Sequence, residues 1–146
     1  MGRTIAGVVV GYVLMALIVF GSFTAAYLAM GADRAFLPGT HDVSPLWIGV
    51  SFILGFIAAA IGGLACAAIA RNRTGPKALA AACLVLGFIM ALGVVFGHAA
   101  PKERTAEIGN MDAMMQAVQP TWVAMVNPLI GAAGVMVGAS LRRREP

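Results

Sequence analysis

The chain has 146 residues, of which 60% are apolar and only 11% charged, with a formal net charge of +4. This is the composition of a bilayer protein and excludes a soluble globular domain. The modest basic excess is read as a membrane-topology signal and not as a nucleic-acid footprint, so nucleic acid is not among the expected partners.

Four segments lack Asp, Glu, Lys, Arg and His: residues 4–31, 43–70, 78–97 and 120–141. Each reaches the ~20 residues a helix needs to cross about 30 Å of hydrocarbon. The expected fold is an all-α integral membrane protein, one domain over 1–146, with four transmembrane helices in a compact bundle.

The first segment follows a lone Arg3 and is too long for the apolar run of a secretory signal, so it reads as a retained helix. It carries Gly7-x3-Gly11, a spacing that lets two membrane helices approach closely. Tyr27 near its far end is expected in the interfacial aromatic belt. The connection over 31–44 is turn-rich, with an apolar plug at Phe36 and Leu37. The second segment enters at Pro45-Leu46-Trp47: proline is tolerated in a first helical turn, and tryptophan suits the interface. Ala59, Gly63 and Ala67 give it a small-residue stripe, and it ends in Arg71-Asn72-Arg73.

The third segment holds a second stripe, Gly93-x3-Gly97. Cys66 and Cys83 are not a Cys-x-x-Cys pair and read as small packing residues, not a disulfide. Beyond the third segment, Asn110, Asp112, Met111, Met114, Met115 and Val118 suggest a short amphipathic helix stopped by Pro120, lying on the membrane surface. Methionine thioethers and imidazoles can bind copper, which makes His41, His98, Met111, Met114 and Met115 candidate ligands, although no compact Met-x-Met or His-x-His cluster supports them. The fourth segment enters at Pro120-Thr121-Trp122, repeats the small-residue spacing at Gly134 and Gly138, and ends before Arg142, Arg143 and Arg144. Its Asn127-Pro128 is the most polar feature at depth, five residues beyond Trp122 and so about 7 Å in at 1.5 Å per residue. The proline should kink the helix.

The chain also echoes itself. "MALIVFG" at 15–21 returns as "MALGVVFG" at 90–97, and Trp47 and Trp122 are likewise 75 residues apart (122 − 47 = 75). We read an internal repeat, 1–73 and 74–146, of two tandem helical hairpins in parallel orientation. Arg3, Arg71, Arg73, Lys77, Arg142, Arg143 and Arg144 then share one side and Arg34, Lys102 and Arg104 the other, which places both termini in the cytoplasm of a cell inner membrane.

Function is far less legible. No nucleophile with an adjacent base, no phosphate loop and no cofactor motif emerges, so neither an enzyme nor a cofactor is expected. An enzymatic reading would need His41, Asp42 and His98 within hydrogen-bond reach. The spans hold no ionisable residue of the kind that coupled transporters use, which argues against proton-coupled efflux. Two readings remain. The first is a non-catalytic accessory or structural subunit whose small-residue stripes pack against other membrane subunits or a second copy, so that Gly138→Ile would shift oligomer size. The alternative is a small membrane transporter, or a copper-handling protein, for a neutral or metal substrate, and it requires a cavity at Asn127.

Overall fold

The structure is a computed structural model that describes residues 1–97, 112 and 115–142. It is all-helical, with four helices long and apolar enough to cross a membrane. They are α1 (Gly2–Met30), α3 (Pro45–Ala70), α4 (Thr74–Phe96) and α5 (Thr121–Arg142), with a single turn, α2 (Ala32–Ala35), after α1. The shortest of the four, 22 residues, extends about 33 Å at 1.5 Å per residue and so covers the hydrocarbon thickness.

The chain runs up and down. Gly7 abuts Cys66 and Ala70, and Gly11 abuts Gly62, so α1 and α3 are antiparallel. Gly87 meets Pro128, and Gly131 approaches Cys83, so α4 and α5 are antiparallel too. One end of the bundle, here the terminal end, therefore carries the start of α1, the α3–α4 turn and the end of α5. The other, the loop end, carries the two longer connections.

Local chemistry explains the helix boundaries. Ser44 caps α3: its hydroxyl accepts the Trp47 backbone N–H at 3.1 Å, and Pro45 occupies the first turn, where a missing N–H has no helical partner. α5 starts similarly but one position later, with the Pro120 carbonyl accepting from the N–H groups of Val123 (2.9 Å) and Ala124 (3.3 Å). At the terminal end α3 stops when Arg71 turns left-handed at φ 52°. Asn72 then opens α4, its Oδ1 accepting from the N–H groups of Thr74 (3.0 Å) and Gly75 (2.9 Å) while its Nδ2 donates to Thr4 Oγ1 (2.8 Å). One asparagine thus caps α4 and ties the turn to α1.

α3 is the spine. It presents Gly62, Cys66 and Ala70 to α1, and Ala59, Ala60 and Gly63 to α5. A Cβ at Gly11 would lie 2.8 Å from the Gly62 carbonyl oxygen, and one at Gly134 would lie 2.7 Å from the Ala59 Cβ. Cβ atoms at Gly63 and Gly138 would overlap the backbone of Val135 and Ala60 respectively. Lipid tails are as apolar as these side chains, so the stabilisation comes from close van der Waals contact, not from expelling water. The contacts keep the 75-residue register: Ala60 and Gly63 become Val135 and Gly138 on adding 75, so Gly63 on Val135 and Gly138 on Ala60 are one contact made twice.

Around this spine the bundle is closed on three sides. α1 packs along α3, α3 along α5, and α5 along α4. α1 and α4 touch much less, and one contact is near the terminal end, where Leu79 lies over Gly11.

The loop end has its own small core of Tyr27, Ala35, Phe36 and Val43, flanked by Trp47. Tyr27 was expected to face the interface, yet it is only 6% exposed and makes edge contacts with Phe36 and Trp47. The loop folds back over it and takes the place that lipid headgroups would have. Phe36 is buried, but Leu37 is exposed, so the plug is one residue and not two. The amphipathic helix expected over 110–120 lies largely outside the described residues; within it Asp112, Met115 and Gln116 are helical, and Val118 forms a β-bridge with Asp42.

Candidate functional site

The open fourth side is a crevice of about 880 Å³ between α1 and α4. Tyr12, Met15 and Val19 of α1 form one wall, and Gly87, Met90 and Val94 of α4 form much of the other. In each set the residues stand at i, i+3 and i+7, the spacing of one helical face. Adding 75 to the first set gives the second (12, 15, 19 become 87, 90, 94), so equivalent faces of the two echoed helices line the same space. The α4 wall can stand close to α5 because Gly87 lets the Pro128 ring lie against its backbone, a Cβ there being 2.7 Å from the ring's Cγ.

The loop end of the crevice is polar, with Gln116, Gln119, Thr121 and Asn127 exposed. The Val118 N–H donates to the His41 carbonyl (2.9 Å), and the Val43 N–H donates to the Val118 carbonyl (3.1 Å). This short pairing of the two loops places His41, Gln116, Gln119 and Thr121 around the same opening as Asn127. Asn127 Nδ2 donates to Gln119 Oε1 at 3.3 Å. A primary amide has two N–H donors and two carbonyl lone pairs, so this single bond leaves both side chains with capacity for a ligand. Among the described lining residues none is Asp, Glu, Lys or Arg. Toward the terminal end the lining is apolar apart from the Tyr12 phenol, with Cys83 and Gly131 the deepest residues of α4 and α5.

The structure sorts the residues singled out by sequence. Asn127 and Pro128 lie on the crevice, Asn127 exposed and Pro128 buried against Gly87. Gly7, Gly11, Gly63, Gly134 and Gly138 lie in interhelical contacts, with Ala67 half-buried beside them on α3. Gly93 and Gly97 line the crevice instead; a Cβ at Gly93 would meet nothing within 4 Å. Trp122 is exposed, with an edge contact to Phe52 at 6.2 Å, and Trp47 is half-buried against Phe23. Of the metal candidates, His41 and Met115 line the crevice, with His41 buried against Phe36; His98, Met111 and Met114 lie outside the described residues, as does the His98 corner of the enzymatic cluster. Both cysteines are free and buried, Cys66 under α1 and Cys83 deep in the crevice.

Sequence reasoning missed Tyr12, Gly87 and Gln119. For the first two the only signal was the 75-residue offset, which relates position 12 to position 87, three residues before each echoed Met. Gln119 lies eight residues from Asn127 and reaches it only because the loop folds back, which no helical spacing reveals.

Chemically the arrangement offers hydrogen bonding at one end and dispersion contact along the rest. It is suited to holding an uncharged molecule. Comparison with protein-family models, with curated proteins and with solved structures finds no match to this chain.

Proposed function

We propose that this is a multi-pass protein of a bacterial-type inner membrane, with both termini in the cytoplasm, that binds and carries an uncharged molecule in the α1–α4 crevice. The observation that carries the reading is the crevice itself: a space of about 880 Å³ stands where a transport role needs one, with Asn127 and Gln119 at its polar end. That volume falls within the ~300–1,000 Å³ of small-molecule sites.

The internal register supports it further. We infer that the two hairpins arose by duplication and then diverged where the crevice needed them to. Subtracting 75 from Asn127, Pro128 and Gln119 gives Phe52, Ile53 and Ser44. In the first hairpin Ser44 caps a helix and Phe52 packs on Trp122; in the second the corresponding positions hold the amide pair and the proline against Gly87.

The accessory-subunit reading draws less support. It relied on small-residue stripes left over for other subunits, and Gly7, Gly11, Gly63, Gly134 and Gly138 are taken up by contacts within the chain.

Native mass spectrometry of the tagged full chain released from its own membrane tests the proposal. The expected species is a monomer or small homo-oligomer carrying a non-covalent small-molecule mass that Asn127→Leu removes. A fixed complex with other polypeptides and no such mass would overturn it in favour of an accessory role.

A further inference from the structure

The shape and polarity of the crevice restrict what can enter it and from where. α1 and α4 meet at Gly11 and Leu79; farther along, Tyr12, Met15 and Val19 line the crevice opposite Gly87, Met90 and Val94, and Tyr12 is exposed on the flank of the bundle. Met90, on the α4 wall, is 75% exposed. The polar groups stand at the loop end, where Gln119, Thr121 and Asn127 are exposed beside the pairing of His41 and Val43 with Val118.

From Cys83 at the deep end to Gly97 near the rim α4 rises 14 residues, about 21 Å. One leaflet contributes about 15 Å of hydrocarbon, half of the roughly 30 Å core. The crevice is therefore long enough for a tail spanning one leaflet, with amides at the level of the polar end and apolar walls along the tail. The described lining offers no fixed charge to pair with an ionised headgroup, and burying an unpaired charge is far costlier than burying a neutral group.

Resting on the carrier reading above, we propose that the ligand is an uncharged amphiphile of the outer leaflet, a long hydrocarbon tail ending in a hydroxyl- or carbonyl-bearing polar group, which enters sideways between α1 and α4. Its polar end hydrogen-bonds to Asn127 and Gln119, and its tail lies along Tyr12, Met15 and Val19 on one side and Met90 and Val94 on the other.

The test places the purified full chain in phosphatidylcholine nanodiscs with a 1-O-hexadecylglycerol that carries a diazirine in its tail, and locates the cross-links by mass spectrometry. Controls are the matching hexadecanoic acid and hexadecane probes. The alkylglycerol is expected to mark residues 12–19 and 86–94. Gly93→Phe adds a ring at a crevice-lining position where a Cβ meets nothing within 4 Å, so the fold is expected to persist, checked by an unchanged thermal midpoint, while crevice labelling falls. Asn127→Leu is expected to lower alkylglycerol labelling about three- to tenfold, the range for one lost hydrogen bond, and to leave hexadecane labelling unchanged. Equal marking of lipid-facing positions such as Ile5, Val9 and Ile53 would overturn the proposal, and so would equal labelling by the ionised acid. Protection of the crevice by free glycerol without long-chain labelling would sink the amphiphile but keep the carrier reading. If no probe marks the crevice, and Gly93→Phe alters nothing, both fall.

Discussion

Gly87 and Gly93 stand six residues apart on α4 and meet opposite surroundings. Gly87 lies under the Pro128 ring, whereas Gly93 faces open space. Alanine at 87 would push its methyl into a rigid pyrrolidine, and overpacking of this kind costs about 1–3 kcal/mol. At 93 the same change meets nothing and removes glycine's helix penalty, a gain of up to about 0.5–1 kcal/mol. Thermal unfolding in a mild detergent should therefore show a lowered midpoint for Gly87→Ala and an unchanged or raised one for Gly93→Ala. Equal midpoints would mean that Pro128 does not rest on Gly87. Glycine spacing alone favoured Gly93 as a packing residue, since it has a glycine four positions on, whereas Gly87 has Ala91 there. Small-residue spacing records that a helix can be approached closely; it does not record which neighbour lies at that azimuth.

Among the elements α3 organises the rest, because its small residues occupy two faces. Gly62, Cys66 and Ala70 receive α1, and Ala59, Ala60 and Gly63 receive α5. Gly138 sits against the Ala60 backbone inside this contact. Gly138→Ile should then separate α5 from α3 rather than act on oligomer size. Insertion is expected to survive, because the substitution makes the span more apolar. The unfolding midpoint should fall by the equivalent of at least about 1–3 kcal/mol. An unchanged midpoint with a shifted oligomer size would return Gly138 to an intersubunit role. The spans were legible from the sequence because apolar length is dictated by bilayer thickness. The Pro-x-Trp entries were legible for a similar reason: the first helical turn tolerates proline wherever it occurs. Which helices become neighbours was not. Consecutive helices α3 and α4 pack weakly, while α3 and α5, far apart in sequence, pack closely through small residues that are as common on other faces.

At the scale of the whole molecule, the bundle's asymmetry and its orientation jointly decide which leaflet the crevice serves. The helix register puts Arg3, the Arg71–Arg73 turn and the end of α5 at one end, and the amide pair at the other. Among the described residues Arg3, Arg71, Arg73, Lys77 and Arg142 stand at the first end and Arg34 at the second, so in the orientation proposed above, with the more basic end cytoplasmic, the amide pair faces outward. The echo of α1 in α4 is visible in the sequence, but the crevice is not. The space lies between two helices that touch little, α1 being held mainly by α3 and α4 mainly by α5, and no spacing along the chain reveals that pairing. Topology reporters check the orientation directly. A fluorescent protein that matures only in the cytoplasm should glow when fused to either terminus. Alkaline phosphatase, active only outside, should be inactive there but active when inserted after Gly39 in the first loop. The reverse pattern would place Asn127 and Gln119 near the cytoplasmic leaflet. The crevice would then draw its amphiphile from the inner leaflet, and the same cross-linking probe would have to be supplied from that side.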